Sequence, residues 1–221
     1  MIKKVTISII LLFALFAIPF IGRAQNHTSF NLDLIWSAST MVPDDYEGRS
    51  LPTRGSTIEV VALTGSINRN SLNYEWFLDR DFIKHASGRG KNAYSFKVST
   101  WSGFSHTARV VATDSATGES QTAVVVVNII EPEIDISNPN PVFKGEPALI
   151  EATPYFFTEK DLDYDWSFNF QEAGGNSLNP GVLVLEIGGS YGLSTGNLDL
   201  VVKNPNNPFE QVRKRVNINV Q

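Results

Sequence analysis

The chain is predicted to be all-β, two tandem β-sandwiches behind a short apolar leader. Three observations carry this. Beyond Gln25 no stretch repeats its apolar residues at helical spacing. Short runs that alternate apolar with polar, or are rich in β-branched residues, recur instead between clusters of Gly, Pro, Asn and Ser, as in an antiparallel sandwich or barrel. The runs also fall into two series: Leu72-Asn73-Tyr74-Glu75-Trp76 returns as Leu162-Asp163-Tyr164-Asp165-Trp166, an offset of 90 residues.

Strands are expected at 32–38, 57–63, 72–78, 93–99, 107–113 and 121–130, and again at 133–137, 148–153, 163–169, 182–187, 197–203 and 211–220. The repeat extends upstream, where Gly55-Ser56-Thr57-Ile58-Glu59-Val60-Val61-Ala62 matches Gly145-Glu146-Pro147-Ala148-Leu149-Ile150-Glu151-Ala152. Each half closes on a long hairpin, around Asp114-Ser115-Ala116-Thr117-Gly118 in the first and Asn204-Pro205-Asn206-Asn207-Pro208 in the second. A period of about 90 is the size of a domain, beyond the shorter period of a solenoid unit. The join falls at Glu131-Pro132-Glu133, where proline interrupts any continuous ladder. The expected organisation is a leader over 1–24, a sandwich over 25–130 and a second over 131–221.

No cysteine occurs in the 221 residues, so the core alone must hold each sandwich. Tyr74 and Trp76, two apart on a strand, share a face, as do Tyr164 and Trp166. These four are the expected centres of the two cores. Ala108, Val110 and Ala112 should face them in the first half, with Arg109 and Val111 outward, and Leu198, Leu200 and Val202 in the second.

The Trp76 strand, followed by Ala108-Arg109-Val110-Val111-Ala112-Thr113-Asp114 and a turn at Gly118, resembles the polycystic-kidney-disease (PKD) type of bacterial Ig-like domain. That resemblance implies two tandem Ig-like (PKD-like) β-sandwich domains. Where that family has Trp-Asp-Phe-Gly-Asp-Gly, this chain has Trp76-Phe77-Leu78-Asp79-Arg80-Asp81. A wider pattern runs through Tyr46-Glu47-Gly48-Arg49-Ser50-Leu51-Pro52, Gly88-Arg89-Gly90-Lys91-Asn92, Ala152-Thr153-Pro154-Tyr155-Phe156-Phe157 and Val202-Lys203-Asn204-Pro205. It is similar to a group of exported proteins of candidate-phyla (Parcubacteria-type) bacteria. This implies an envelope-associated role, with a link to pili, and assigns no activity and no site residue.

The leader has the three-part layout of a secretory signal peptide: Lys3 and Lys4, an apolar run over 5–21, then Gly22-Arg23-Ala24 before Gln25. An uncleaved signal anchor is the alternative, since the run is near the lower limit for spanning a bilayer. Export by the Sec route to the cell surface, the extracellular space or the periplasm is expected. The leader holds three bases and no acid, so the rest carries 15 Lys and Arg against 23 Asp and Glu, a net charge of −8 against −5 for the whole chain. An acidic chain without a basic stripe does not suit nucleic acid, and membrane contact is expected only through an uncleaved leader. Arg213-Lys214-Arg215, the one basic cluster, reads as an edge that discourages strand pairing.

Catalytic motifs fail on context. Gly188-Gly189-Ser190-Tyr191-Gly192 fits a G-x-S-x-G elbow, but strands are expected on both sides and His27, His85 and His106 all precede Ser190. Gly88-Arg89-Gly90-Lys91 is too short for a phosphate loop and reads as a turn. Leu51-Pro52-Thr53-Arg54-Gly55 resembles a wall-sorting signal with two positions exchanged and no apolar tail behind it. The lack of Cys excludes disulfides, thiolate zinc, iron–sulfur clusters, thiol catalysis and lipoprotein acylation. No cofactor is expected. Calcium is the one metal the sequence leaves open, at the alternating carboxylates Glu131, Glu133 and Asp135 by the join, with a solvated acidic face as the other reading. Asn26-His27-Thr28 is a glycosylation sequon only for a eukaryotic secretory route.

Trp36, Tyr46, Trp101, Phe104, Phe156 and Phe157 fall at strand ends or in loops. They form either a binding surface or the caps and joint of the sandwiches. The expected function is non-enzymatic, contact with an envelope or surface protein or service as a spacer. The alternative is glycan binding through the aromatic loops.

Overall fold

The computed structural model describes residues 30–65, 67–137, 141–188 and 194–221. The leader over 1–24, the Asn26-His27-Thr28 sequon and Gly189 to Gly192 of the elbow-like motif lie outside these residues. The first half runs β1 (Leu32–Ala38), β2 (Thr57–Thr64), a 3-10 turn Arg69–Ser71, β3 (Leu72–Leu78), β4 (Asp81–Phe82), β5 (Gly88–Arg89), β6 (Ala93–Lys97), β7 (Ser105–Asp114) and β8 (Ser120–Asn128). The second runs β9 (Glu133–Ser137), β10 (Pro147–Tyr155), β11 (Asp163–Phe168), β12 (Gln171–Ala173), β13 (Val182–Glu186), β14 (Thr195–Asn204) and β15 (Asn207–Asn219). Every expected strand is present. The short β4, β5 and β12 escape prediction because two or three residues cannot display an alternation. Gly88-Arg89, expected as a turn, therefore begins as a rung against Asn73 and Tyr74. The second long hairpin turns on Pro205-Asn206 alone, tighter than the expected five-residue loop.

The two halves share one strand order. One sheet is β1-β2-β6 and faces β4-β3-β7-β8; its counterpart is β9-β10-β13, facing β12-β11-β14-β15. This is an Ig-like sandwich in which the fourth strand of each half, β4 or β12, has joined the sheet of the third strand and the last two. Among the described residues no helix is long and apolar enough to cross a membrane.

The cores form where alternation predicts. Tyr74 and Trp76 are fully buried with Ala108, Val110 and Ala112, and Trp166 is buried with Leu198, Leu200 and Val202, while Tyr164 is half-buried against that second core. A buried indole must satisfy its N–H. Trp76 Nε1 donates to the Lys91 carbonyl at 2.8 Å and Trp166 Nε1 to the Pro180 carbonyl at 3.0 Å, the same solution in both halves. Burial pushes the Tyr74 and Tyr164 phenols above their ordinary range.

The repeat extends to the β3–β4 and β11–β12 hairpins. Both have two-residue turns with positive φ at each position, Asp79 (49°) and Arg80 (88°), then Asn169 (48°) and Phe170 (67°). That geometry matches sheet twist but favours Asn or Asp followed by Gly. The first position is suited and the second is not. Asp79 and Asn169 also repeat a clamp: the Asp79 N–H donates to the Thr107 carbonyl while its Oδ1 accepts the Thr107 N–H, and Asn169 does the same with Asn197.

The two outer edges differ. β8 carries no charged residue and leaves Val124 and Val126 about half exposed. On β15, Arg213 and Arg215 close over Asp199, whose Oδ1 accepts from Arg213 Nε and Nη2 at 3.0 and 2.9 Å and from Arg215 Nε at 2.9 Å. The basic cluster is thus both an edge guard and the cover of a buried acid. The Arg215 hydrogen bond, then those of Arg213, hold the Asp199 carboxyl below its ordinary value against the opposing effect of burial.

Two predictions follow from these features. Phe170→Gly should raise stability by about 1 kcal/mol, because it relieves a left-handed position that costs a side chain roughly 1–2 kcal/mol. Urea denaturation measures this, and a neutral or destabilising result would show that the Phe170–Arg215 ring contact at 5.6 Å outweighs the strain. The lowered carboxyl of Asp199 is stabilising above the unfolded value of 3.8, and that contribution is lost as pH falls below it. Thermal melts from pH 6 down to pH 2 should show a midpoint that drops through this window, with a shallower drop in Asp199→Asn.

Candidate functional site

The connection between the first two strands differs most between the halves. β9 ends at Ser137 and the chain soon pairs with the last strand, Val142 bridging Val220 in parallel. In the first half the Ile130 N–H donates to the Pro52 carbonyl at 3.0 Å, so Pro52 fills the equivalent place. Ile35 pairs with Val61 as Ser137 pairs with Glu151, so a much longer connection runs from Ile35 to Pro52 than from Ser137 to Val142. Thr40 Oγ1 closes this loop on the Leu51 carbonyl at 2.8 Å, bringing its ends together in the manner of an Ω-loop.

The loop docks on the second sandwich. The Met41 N–H donates to the Phe157 carbonyl at 2.8 Å and the Phe156 N–H to the Met41 carbonyl at 2.7 Å, and the Met41 side chain packs against the second core. Tyr46 meets Tyr155 and Phe156 edge-on, with centroids 5.7 and 5.8 Å apart. Phe156 turns into this contact with a φ of 65°, an unusual value for a bulky residue.

Beside the loop lies a buried carboxylate. Glu210 is 1% exposed. Its Oε1 accepts from Thr53 Oγ1 of the first half at 2.9 Å; its Oε2 accepts from the Thr158 N–H at 3.1 Å, Thr158 Oγ1 at 2.8 Å and Asn204 Nδ2 at 2.6 Å. Next along the chain, the Arg54 guanidinium lies 3.7 Å from the ring centroids of both Trp101 and Phe209, which meet edge-on at 5.2 Å. Asn207 Nδ2 donates to the Arg54 carbonyl at 2.9 Å. Gly55 permits this approach: its φ is 99°, and a Cβ there would sit 2.6 Å from Asn207 Nδ2. The stretch that resembles a sorting signal is therefore the seam between the sandwiches.

The six candidate aromatics separate. Phe156 (4% exposed) and Phe157 (fully buried) are corrected from surface candidates to joint and core: β10 ends at Tyr155 and the chain turns inward, not out. Tyr46 is also taken up by the joint. Trp36, half-buried on β1, packs on the first core with Arg49 over its ring at 4.5 Å. Trp101 and Phe104 remain exposed, at 55% and 62%. The calcium site does not assemble. Glu131 precedes β9 and accepts from Ser102 Oγ at 2.9 Å, and among the described residues no three acidic, His or Cys side chains converge.

Thr53, Arg54, Thr158, Asn204, Phe209 and Glu210 were not anticipated from sequence. A signal existed for two of them: strand parity puts Glu210 on the face of Val212, Val216 and Ile218, and Asn204 on that of Leu200 and Val202. A relay that no sequence pattern reveals sets Asp79 Oδ2 2.6 Å from His106 Nδ1 and His106 Nε2 3.1 Å from Thr100 Oγ1. It has the order of a hydrolytic triad. However, His106 is buried edge-on to Phe96, Asp79 also clamps Thr107, and Thr100 lines neither the cleft at the joint nor the one beside Asp79.

No family model matches the chain, and no curated protein matches it. Among solved structures, the three N-terminal domains of the Highly Immunogenic Outer Capsid protein (Hoc) of bacteriophage RB49 are similar at 14% identity and a TM-score of 0.49, over 87% of this chain and 59% of that one. The chain thus spans about three fifths of the Hoc fragment. The fibronectin(III)-like modules of Clostridium thermocellum CbhA are similar at 14% identity and a TM-score of 0.32, over 82% and 94% of the two chains. The tandem Ig repeats of Dlar are similar at 12% and 0.29, over 87% and 99%. None of these likenesses decides a function, and the Ig-like assignment rests on the strand order.

Glu210→Ala should destabilise the protein by about 3 kcal/mol, since it strands the donors of Thr53, Thr158 and Asn204. Thr53→Val removes the cross-joint bond alone and should cost about 1–2 kcal/mol. In calorimetry it should also split one unfolding transition into two; a variant that still unfolds in one step would show that the Thr53–Glu210 bond is not what couples the halves.

Proposed function

We propose that this is a non-enzymatic, exported tandem Ig-like protein that works by protein–protein contact and as a stiff spacer at the cell surface or envelope. The observation that carries the reading is the outer face of β4-β3-β7-β8. Cross-strand register lines up Phe82, Phe77, Arg109 and Val124 in one row over four strands. Phe82, Val124 and Val126 are each about half exposed, and Arg109 stacks on Phe77 at 3.7 Å. An apolar row broken by one arginine has the composition of a contact surface. It ends on β8, an uncharged edge open to strand addition. The joint supports the spacer role, because two sandwiches pinned by the loop and by Glu210 hold that face at a set distance from the chain's end. The PKD type of Ig-like domain, the kinship with exported candidate-phyla proteins and the association with pili or adhesion belong to the same proposal. So do Sec export and a mature chain beginning at Gln25.

Trp101 and Phe104, exposed on one loop, favour a second reading as a glycan-binding module. The test is a double substitution, Val124→Lys with Val126→Lys, made in cells that export the protein. Contact with an envelope protein, read by photo-crosslinking from the Thr122 position, should be lost while the melting temperature stays within about 2 °C. If the double variant crosslinks as wild type, this face is not the contact. Glycan-array binding that disappears in Phe104→Ala, at an exposed loop aromatic outside the Arg54 stack, would favour the second reading.

A further inference from the structure

The two sandwiches enclose an open cleft of about 570 Å³ along their seam. Most of the lining residues are polar, with Val98 and Phe209 as the apolar members, and polar and apolar atoms share the surface about equally. Two cations, Arg54 and Lys97, face one acid, Glu159, so a chain of net charge −5 turns a net positive concavity to solvent here. Much of the cleft's hydrogen-bonding capacity is uncommitted. Asn204 and Asn207 are used in the joint, but the side chains of Lys97, Ser99, Glu159 and Asn206 have no partner among the described residues. Arg54 is held by stacking between two half-exposed rings; its Nη1 is shut off from solvent, and none of its side-chain donors has an acceptor among the described residues. A guanidinium positioned by aromatic faces and short of an acceptor is a standing site for an oxygen anion.

We infer that this cleft binds a carboxylate-bearing saccharide. Its carboxylate lies between Arg54 and Lys97, its ring against Phe209, and its hydroxyls on Ser99 and Asn206. The lining selects this class. A peptide recognised through its apolar side chains would find only Val98 and Phe209 to receive them. A dense polyanion is disfavoured by Glu159 on the same wall. A sugar acid needs one anion site, an apolar face and scattered hydroxyl partners, and the cleft has all three. The site is separate from the β4-β3-β7-β8 face and does not depend on it.

The test is isothermal titration of the full mature protein with two probes, glucuronic acid and a hyaluronan tetrasaccharide, beside neutral maltotriose and sodium acetate. Saturable binding of either acidic probe is expected, at least tenfold tighter than maltotriose or acetate. Lys97→Gln, a change at an exposed and unpartnered side chain, should weaken it at least fivefold without moving the melting temperature. Arg54→Gln should abolish it, with the melting temperature recorded because Arg54 also packs the seam. The Val124→Lys, Val126→Lys double variant should bind as wild type, so failure of the contact face and failure of the cleft are read separately. The inference is overturned if neither acidic probe saturates, if maltotriose or acetate binds as tightly, or if Lys97→Gln leaves the affinity unchanged.

Discussion

One carboxylate ties the molecule together. Glu210 belongs to the second sandwich, yet one of its oxygens is held by Thr53 of the first, and both lie out of water. Apolar surfaces tolerate sliding, because a methyl group displaced by an ångström finds other methyl groups. A buried charge does not, since each lost donor leaves part of its desolvation uncompensated. Contact between Met41, Tyr46 and Phe156 brings the sandwiches together, and Glu210 admits a single arrangement of them. The place of Arg54 between Trp101 and Phe209, and hence the cleft, follows from that arrangement.

The two halves show what a repeated frame preserves and what it leaves free. Strand order, the tryptophan and its carbonyl partner, and the clamp by Asp79 or Asn169 recur, because a sandwich without disulfides needs them. The outer edges and the first connection do not recur. One edge is armoured with Arg213 and Arg215 over Asp199, the other is bare valine; one connection is brief, the other is long enough to reach a neighbour. Function has room to differ only where the frame makes no demand.

The same division explains what sequence alone reveals. Alternation located the strands because one face of each is dry, and it marked Tyr74, Trp76 and Trp166 as core for that reason. Loops carry no such periodicity, so Trp101 could be placed in a loop but not beside Arg54. Phe156 and Phe157 looked like an exposed pair because a strand end reads the same whether the chain turns outward or in. Glu210 is the instructive miss: its parity with Val212 and Ile218 put an acid on an inward face, a conflict visible in the residues. Its resolution, by Thr53 far away in the chain, was not.

The long connection over 39–51 also changes the mechanics. Domains joined by one short peptide swivel, and the distance between their far ends is an average over many poses. Here a second strap is added to the 129–132 junction, so tilting one sandwich against the other must peel Met41 from Phe156 and Phe157. Bending stiffness then resides in the strap and not in the linker. Adding residues at the junction would leave these contacts in place, whereas trimming the strap would remove them.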